Sequence, residues 1–320
     1  MLADYKSDLD RVEKAIRENF QSDVAMIPAI SGYLIGGGGK RIRPLLVIAS
    51  SRLCGYTGAT RHINMSVVVE YVHAATLLHD DVVDEADVRR GAASANVEFG
   101  NQASVLVGDF LFAKSFQLMS EDSDIRIIRA VSRATRNLAE GEVLQLVNTC
   151  NLETTEEAYL DTIYRKTGAL MEACMNIGAI LGGVTKEKED ALASYGQDIG
   201  VAFQMVDDVL DYVGDAKAWG KPLGADLADG KVTLPLIRAL GLADESEKKT
   251  IRKALEADDL PQEDLEATLG VLKKYDTLRY TMDLARKRVE RAKLRLSIFE
   301  PSSHLSALCS IADYIVDREV

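Results

Sequence analysis

Apolar residues recur at helical spacing along almost the whole chain. Between Arg61 and Asp84 they fall at Ile63, Val67, Tyr71, Ala75, Leu78 and Val82, steps of four and three that trace one stripe down a long helix. Leu278, Met282, Ala285, Val289, Ala292 and Leu296 do the same near the C-terminus, with two small alanines in the stripe. The same period predicts helices over about 3–20, 41–54, 101–119, 124–148, 156–181 and 187–212. Turn residues mark the connections: Gly36 to Gly39, Gly55 to Gly58, Gly214 to Gly224 and Glu300-Pro301-Ser302. No Pro/Ser-rich linker or low-complexity tract breaks the pattern. The simplest reading is a single all-α domain over residues 1–320, one large bundle of roughly ten helices or more.

Composition agrees with that reading and removes some partners. The 320 residues include only 6 Pro, 7 Phe and 1 Trp, so helix breakers and β-favouring aromatics are both scarce. With 38 Lys+Arg against 50 Asp+Glu the net charge is −12, which suits no general nucleic-acid binder, because phosphate neutralisation needs clustered basic residues. Cys54, Cys150, Cys174 and Cys309 form no CxxC pair, so neither a zinc ribbon nor a disulfide framework is indicated. The N-terminus carries charge early and lacks the apolar run of a signal peptide. No apolar run approaches the ~18 residues of a membrane span. A cytoplasmic chain in a reducing compartment is the expectation.

Two acidic motifs carry the first chemical signal. Asp80-Asp81-Val82-Val83-Asp84 and Asp207-Asp208-Val209-Leu210-Asp211 share the pattern D-D-x-x-D, and each closes an apolar helix pattern. On a helix the first and last aspartates lie one turn apart on one face, where like charges repel. Helix C-termini disfavour anions further. One such motif reads equally as a solvated acidic face; two copies in the same context point to a cation. The oxygen ligands, with only His79 adjacent, suit Mg²⁺ better than zinc. Magnesium keeps waters and takes a few carboxylates plus substrate phosphates, so a phosphorylated ligand is implied. An EF-hand is excluded by the spacing.

Basic residues that could meet such a ligand flank the motifs. Gly36 to Gly39 followed by Lys40-Arg41-Ile42-Arg43-Pro44 is a glycine loop feeding a helix, where backbone amides and the helix N-terminus favour an anion. It is not a Walker A loop, since Leu34 and Arg41 stand where that motif needs Gly and Ser/Thr. Arg89-Arg90-Gly91 follows the first acidic motif and could clamp phosphate oxygens. Lys166-Thr167-Gly168 sits inside a helical stretch where Thr-Gly is unfavourable, so a kink presenting Lys166 is one reading and a tolerated Gly the other. Lys221 and Lys231 lie in the Gly-rich segment after the second motif. Each basic group, taken alone, also reads as solvated surface.

Taken together, Gly39 to Pro44, Leu77-Leu78-His79 leading into Asp80 to Asp84, Arg89-Arg90-Gly91, Lys166-Thr167, and Phe203-Gln204 ahead of Asp207 to Asp211 resemble the motif set of the trans-isoprenyl diphosphate synthases, the polyprenyl synthetase family. The resemblance runs in order from about residue 36 to 235 and is nearest to the long-chain octaprenyl and decaprenyl types. It implies the isoprenoid synthase fold, with a central active-site cavity. It also implies a Mg²⁺-dependent condensation of isopentenyl diphosphate onto an allylic diphosphate, for quinone side chains such as that of ubiquinone. Asp80, Asp84 and Asp207, joined by Asp211, would bind Mg²⁺, with Asp81 and Asp208 in support. Arg89, Lys166, Thr167, Gln204 and Lys221 would contact the allylic substrate. Lys40, Arg43, His73 and Arg90 would hold isopentenyl diphosphate. The catalytic set so implied is Asp80, Asp81, Asp84, Lys166, Asp207 and Lys221. A homodimer and a product that can reach the membrane are further implications, whereas Asp87, Asp215 and Asp226 receive no role.

In family terms, short-chain members carry aromatic residues four or five positions before the first aspartate. Here those positions are Thr76 and Ala75, both small. Val68 lies about 10 Å deeper on the same helix line and is small as well. Phe112, Phe116 and Met119 on the 101–119 helix could supply a floor instead. A long product is expected. A terpene cyclase would lack the Lys40/Arg43 site, a non-catalytic subunit would lack some of the six aspartates, and a diphosphate hydrolase has no use for a second diphosphate site.

Overall fold

The predicted long helices are all present in the computed structural model, which describes residues 2–36, 39–89, 91–213, 223–257 and 259–317. In chain order they run α1 (Lys6–Asn19), α2 (Met26–Gly36), α3 (Ile42–Leu53), α4 (Arg61–Val83), α5 (Ala95–Phe99), α6 (Asn101–Asp122) and α7 (Ile125–Val147). Then come α8 (Glu156–Ile163), a π-helical turn (Tyr164–Gly168), α9 (Ala169–Gly182) and α10 (Lys186–Val213). The last part holds α11 (Ala225–Ala228), α12 (Leu234–Leu242), α13 (Glu245–Leu255), α14 (Gln262–Lys274), α15 (Thr277–Arg295) and α16 (Ser303–Val316). The exception to helix among the described residues is a two-stranded ribbon, β1 (Val88–Arg89) against β2 (Ala92–Ala93), antiparallel with Arg89 opposite Ala92. No helix among the described residues is long and apolar enough to cross a membrane.

The chain divides into two compact units. One comprises Met1–Arg136, Leu170–Gly196 and Arg295–Ser310; the other comprises Asn137–Ala169, Gln197–Leu294 and Ile311–Val320.

In the first unit α4 packs against α6, α3 and α1. The predicted stripe proves too narrow, because Val68, Val69, Val72 and Ala74 are buried as well. A helix apolar around most of its circumference belongs in a core with neighbours on several sides. Gly108 sets how closely α6 approaches the end of α4, since a Cβ there would stand 2.3 Å from His79 Nε2.

In the second unit Tyr212 from the end of α10 joins Leu227, Leu236, Ala239, Ile251, Leu255 and Leu272 in one apolar cluster. Burying several such side chains at about 1.5–3 kcal/mol each holds these helices together. The four helices of the 225–274 stretch are only 4, 9, 11 and 13 residues long. Fewer than four turns give periodicity little room to register, so local chemistry marks them instead. Asp244 and Glu247 form a reciprocal capping box at the start of α13.

Candidate active site

The first acidic motif forms the last turn of α4. Asp84 caps the helix, its N–H donating to the Asp80 carbonyl at 2.8 Å. The three aspartates differ in setting: Asp80 is half-buried, Asp84 is exposed, and Asp81 is 0 % exposed. An anion buried at a helix C-terminus needs a cation. Arg89 supplies it, donating from Nε to the two Asp81 oxygens at 2.7 and 2.8 Å, with Nη2 at 2.5 Å. The ribbon makes this reach possible: Gly91, at φ 78°, turns β1 into β2, and the Ala86 N–H donates to the Asp81 carbonyl at 2.9 Å. Arg89, assigned by resemblance to the allylic substrate, thus has Nε and Nη2 engaged by the protein itself. Arg90 lies outside the described residues.

The end of the glycine loop is held by Arg41, whose φ of 46° is a left-handed conformation unusual for a side-chain-bearing residue. Its guanidinium donates to Glu70 on α4 at 2.6 Å and to the Ile35 carbonyl at 2.9 Å, and pairs with Glu13 on α1. Arg41 is therefore an anchor, and its neighbours carry the accessible charge: Lys40 is exposed, and Arg43 is half-buried in the first turn of α3. His73 is half-buried on α4, the helix against which α3 packs. Gly37 and Gly38 lie outside the described residues.

Along α4, Ala75 and Val68 are both fully buried. Thr76 is half-buried and its hydroxyl donates to the His73 carbonyl at 2.8 Å. On α6, Met119 is 1 % exposed and Phe116 is 47 % exposed.

The second acidic motif lies in the last turns of α10. Asp207 and Asp211 are half-buried, while Asp208 is 2 % exposed. Neutral donors satisfy Asp208: the Tyr159 hydroxyl from α8 at 2.6 Å and Gln204 Nε2 at 2.9 Å. The Thr167 hydroxyl in turn donates to Gln204 Oε1 at 2.9 Å. Burial and the nearby Asp226 charge push the Asp208 carboxyl up to about 7. Burial and the Asp208 carboxylate raise the Tyr159 phenol. Asp211 receives the Asp226 N–H at 3.1 Å on its side chain and the Gly224 N–H at 2.9 Å on its carbonyl, which docks α11 against this motif. Residues 214–222, including Asp215 and Lys221, lie outside the described residues.

The local disfavour of Lys166-Thr167-Gly168 for helix is expressed as the π-helical turn Tyr164–Gly168, a wider loop that re-aims side chains. Lys166 Nζ reaches Gln145 Oε1 and Glu142 Oε2 on α7, both at 2.9 Å. Gly141 allows α7 this close: a Cβ there would meet the Lys166 backbone nitrogen at 2.8 Å. Tyr159, Gly141, Glu142 and Gln145 were not singled out by the sequence. Tyr159 stands two turns before Lys166, and that spacing is its only local signal.

Each acidic motif thus follows one plan. Its middle aspartate is buried and satisfied by protein donors, and its outer pair stands one turn apart and accessible. Among the described residues no group of three or more His, Cys, Asp or Glu side chains is assembled to hold a metal ion. Magnesium does not require one, because it binds through one or two carboxylates together with waters and substrate phosphates. An all-oxygen pair at each motif fits that demand.

Comparison with known proteins agrees with these features. The polyprenyl synthetase family profile matches residues 24–272. The chain is 42% identical to octaprenyl diphosphate synthase of Haemophilus influenzae, over 97% of this chain and 94% of that protein. Among solved structures it is similar to a decaprenyl diphosphate synthase from Rhodobacter capsulatus, with a TM-score of 0.94 and 42% identity over 99% of this chain and 97% of that one. It is also similar to a polyprenyl synthase from Caulobacter crescentus complexed with calcium and isoprenyl diphosphate, with a TM-score of 0.94 and 39% identity over 99% and 96% of the two chains. The all-α architecture is that of the isoprenoid synthases, and the chain belongs to the polyprenyl synthetase family.

Proposed function

We propose that this trans-prenyltransferase builds a long all-trans polyprenyl diphosphate by repeated head-to-tail addition of isopentenyl diphosphate to an allylic diphosphate. The observation that supports the reading is the shared plan of the two acidic motifs, which buries Asp81 and Asp208 and leaves Asp80, Asp84, Asp207 and Asp211 more accessible; these four are the ligands we assign to Mg²⁺. Bound there, Mg²⁺ would neutralise the allylic diphosphate and make it a better leaving group.

The chain's own groups do the rest. Lys166, Thr167 and Gln204, with Arg89 and Lys221, orient the allylic diphosphate and stabilise the charge it gains as its C–O bond ionises. Lys40, Arg43, His73 and Arg90 hold the diphosphate of isopentenyl diphosphate, whose double bond attacks the allylic cation. A proton is then lost to the departing pyrophosphate and a trans double bond forms. No protein nucleophile is required, and apolar surroundings keep water from the cation. The small side chains of Ala75, Thr76 and Val68 leave room for the growing chain, with Met119 and Phe116 as candidates for its floor. The likeness to octaprenyl and decaprenyl synthases supports a long product. We further assign the full chain as one catalytic domain acting as a cytoplasmic homodimer, with its product passing to the membrane for quinone side chains.

Elongation from isopentenyl and farnesyl diphosphates, with and without Mg²⁺, tests the reading. Long all-trans products that require Mg²⁺ are expected. Absence of elongation, or elongation in the presence of EDTA, overturns it.

A further inference from the structure

We propose that Tyr159 is a positioning residue for the allylic diphosphate, acting through Asp208 to orient the amide of Gln204 and the hydroxyl of Thr167. The inference rests on the reading that Thr167 and Gln204 meet that substrate.

The connection is continuous in space though scattered in sequence. Tyr159 is 4 % exposed and its hydroxyl lies 2.6 Å from Asp208 Oδ2. Asp208 Oδ1 takes an N–H of Gln204 at 2.9 Å, and Gln204 Oε1 takes the Thr167 hydroxyl proton at 2.9 Å. The inventory of donors sets the direction of each bond. The Tyr159 hydroxyl donates to Oδ2 and Gln204 Nε2 donates to Oδ1, so Asp208 accepts on both oxygens and draws the nitrogen end of the Gln204 amide towards itself. The oxygen end must then face Thr167, and the second Gln204 N–H is left to donate to an anion. Rotating the amide by half a turn would set its oxygen against the Asp208 carboxylate.

Tyr159 holds the other oxygen of that carboxylate. Without the phenol hydroxyl, Asp208 Oδ2 is a buried acceptor with a lost partner, and the side chain is free to turn towards other donors. Gln204 then loses the fixed acceptor that selects its orientation. The effect of Tyr159 passes through two side chains, Asp208 and Gln204.

The test is Tyr159→Phe in the full-length protein, which keeps the ring and its packing and removes one donor. Steady-state kinetics should show the KM for farnesyl diphosphate rising about five- to tenfold, the scale of one hydrogen bond, with the KM for isopentenyl diphosphate changing less than about twofold. A merely structural role predicts a lower melting temperature with the two KM values unmoved or moving together, and that result overturns the proposal. In a Gln204→Ala background, Tyr159→Phe should add little to the farnesyl diphosphate KM; full additivity overturns the connection. Should Tyr159→Phe be recovered unfolded, Asp208→Asn probes the same link, because one of its two acceptors becomes an amide nitrogen. The same split in KM is expected, and equal changes count against the proposal. Thr167→Val separates the underlying reading from the inference. If it leaves the farnesyl diphosphate KM unchanged, the site assignment fails. If it raises that KM while Tyr159→Phe does not, the role of Tyr159 alone fails.

Discussion

Asp81 is buried at the end of α4, and Arg89, eight residues later, donates from Nε to both of its carboxylate oxygens at 2.7 and 2.8 Å. The corresponding aspartate of the second motif, Asp208, is satisfied by a tyrosine hydroxyl and a glutamine amide. The same sequence pattern is thus supported by a cation in one motif and by neutral donors in the other.

The Asp81–Arg89 pair makes a stability prediction. Arg89→Met leaves a fully buried carboxylate without its counterion and should cost about 3 kcal/mol. Asp81→Asn should cost less, because the Arg89 side chain is 27% exposed and can turn to water. Urea unfolding of both variants checks the order. Equal losses would show that the stranded charge of Asp81 adds no penalty beyond loss of the pair.

Gly141→Ala tests how α7 supports the π-helical turn. The new methyl would stand 2.8 Å from the backbone nitrogen of Lys166 and 2.9 Å from Arg165 Cβ, so backbone has to move. We expect a loss of about 1–3 kcal/mol in stability and a raised KM for the allylic substrate. Unfolding and kinetics on one preparation measure both. If neither changes, the close approach of α7 does not position Lys166.

Ala75→Phe, at a position with no exposed surface, should shorten the product by several isoprene units. The same overpacking should lower stability by about 1–3 kcal/mol. Chromatographic sizing of the dephosphorylated products decides it. An unchanged chain length would remove Ala75 from the path of the growing chain.

His62 predicts a pH dependence of folding. Its ring is buried, T-shaped against Tyr56 with centroids 5.4 Å apart, with Nε2 3.3 Å from Asp8. Burial holds its pKa below the ordinary value of 6.5, although Asp8 pulls the other way. The folded state therefore binds fewer protons than the unfolded chain as pH falls through that value. Its contribution is present above about 6.5 and lost on acidification. Urea midpoints at pH 7.5 and 5.5 should fall further for the natural protein than for His62→Gln. Identical shifts would show that His62 is not the group responsible.

Much of this protein is local, and local features are what a single sequence displays. The i, i+4 spacing of Asp80 with Asp84 and of Asp207 with Asp211 follows from 3.6 residues per turn. The long helices α4, α6, α7 and α10 are legible because many turns of one period accumulate. The disfavoured Thr167-Gly168 step reads either as a kink at Lys166 or as a tolerated Gly, and a π-helical turn stands there. The short helices after α11 were less legible, having too few turns.

Packing adds the partners of the middle aspartates. Spacing already sets Asp81 and Asp208 apart from the outer pairs, and the folded chain buries both, Asp81 against Arg89 and Asp208 against Tyr159 and Gln204. Arg41 reads with Lys40 and Arg43 as part of one basic cluster, but Glu13 and Glu70 turn it into an anchor. Tyr159 is invisible as a partner of Asp208 because 49 residues separate them. Periodicity tells which face of a helix is covered. It does not tell which distant side chain covers it, and here Arg89 covers Asp81 while Tyr159 and Gln204 cover Asp208.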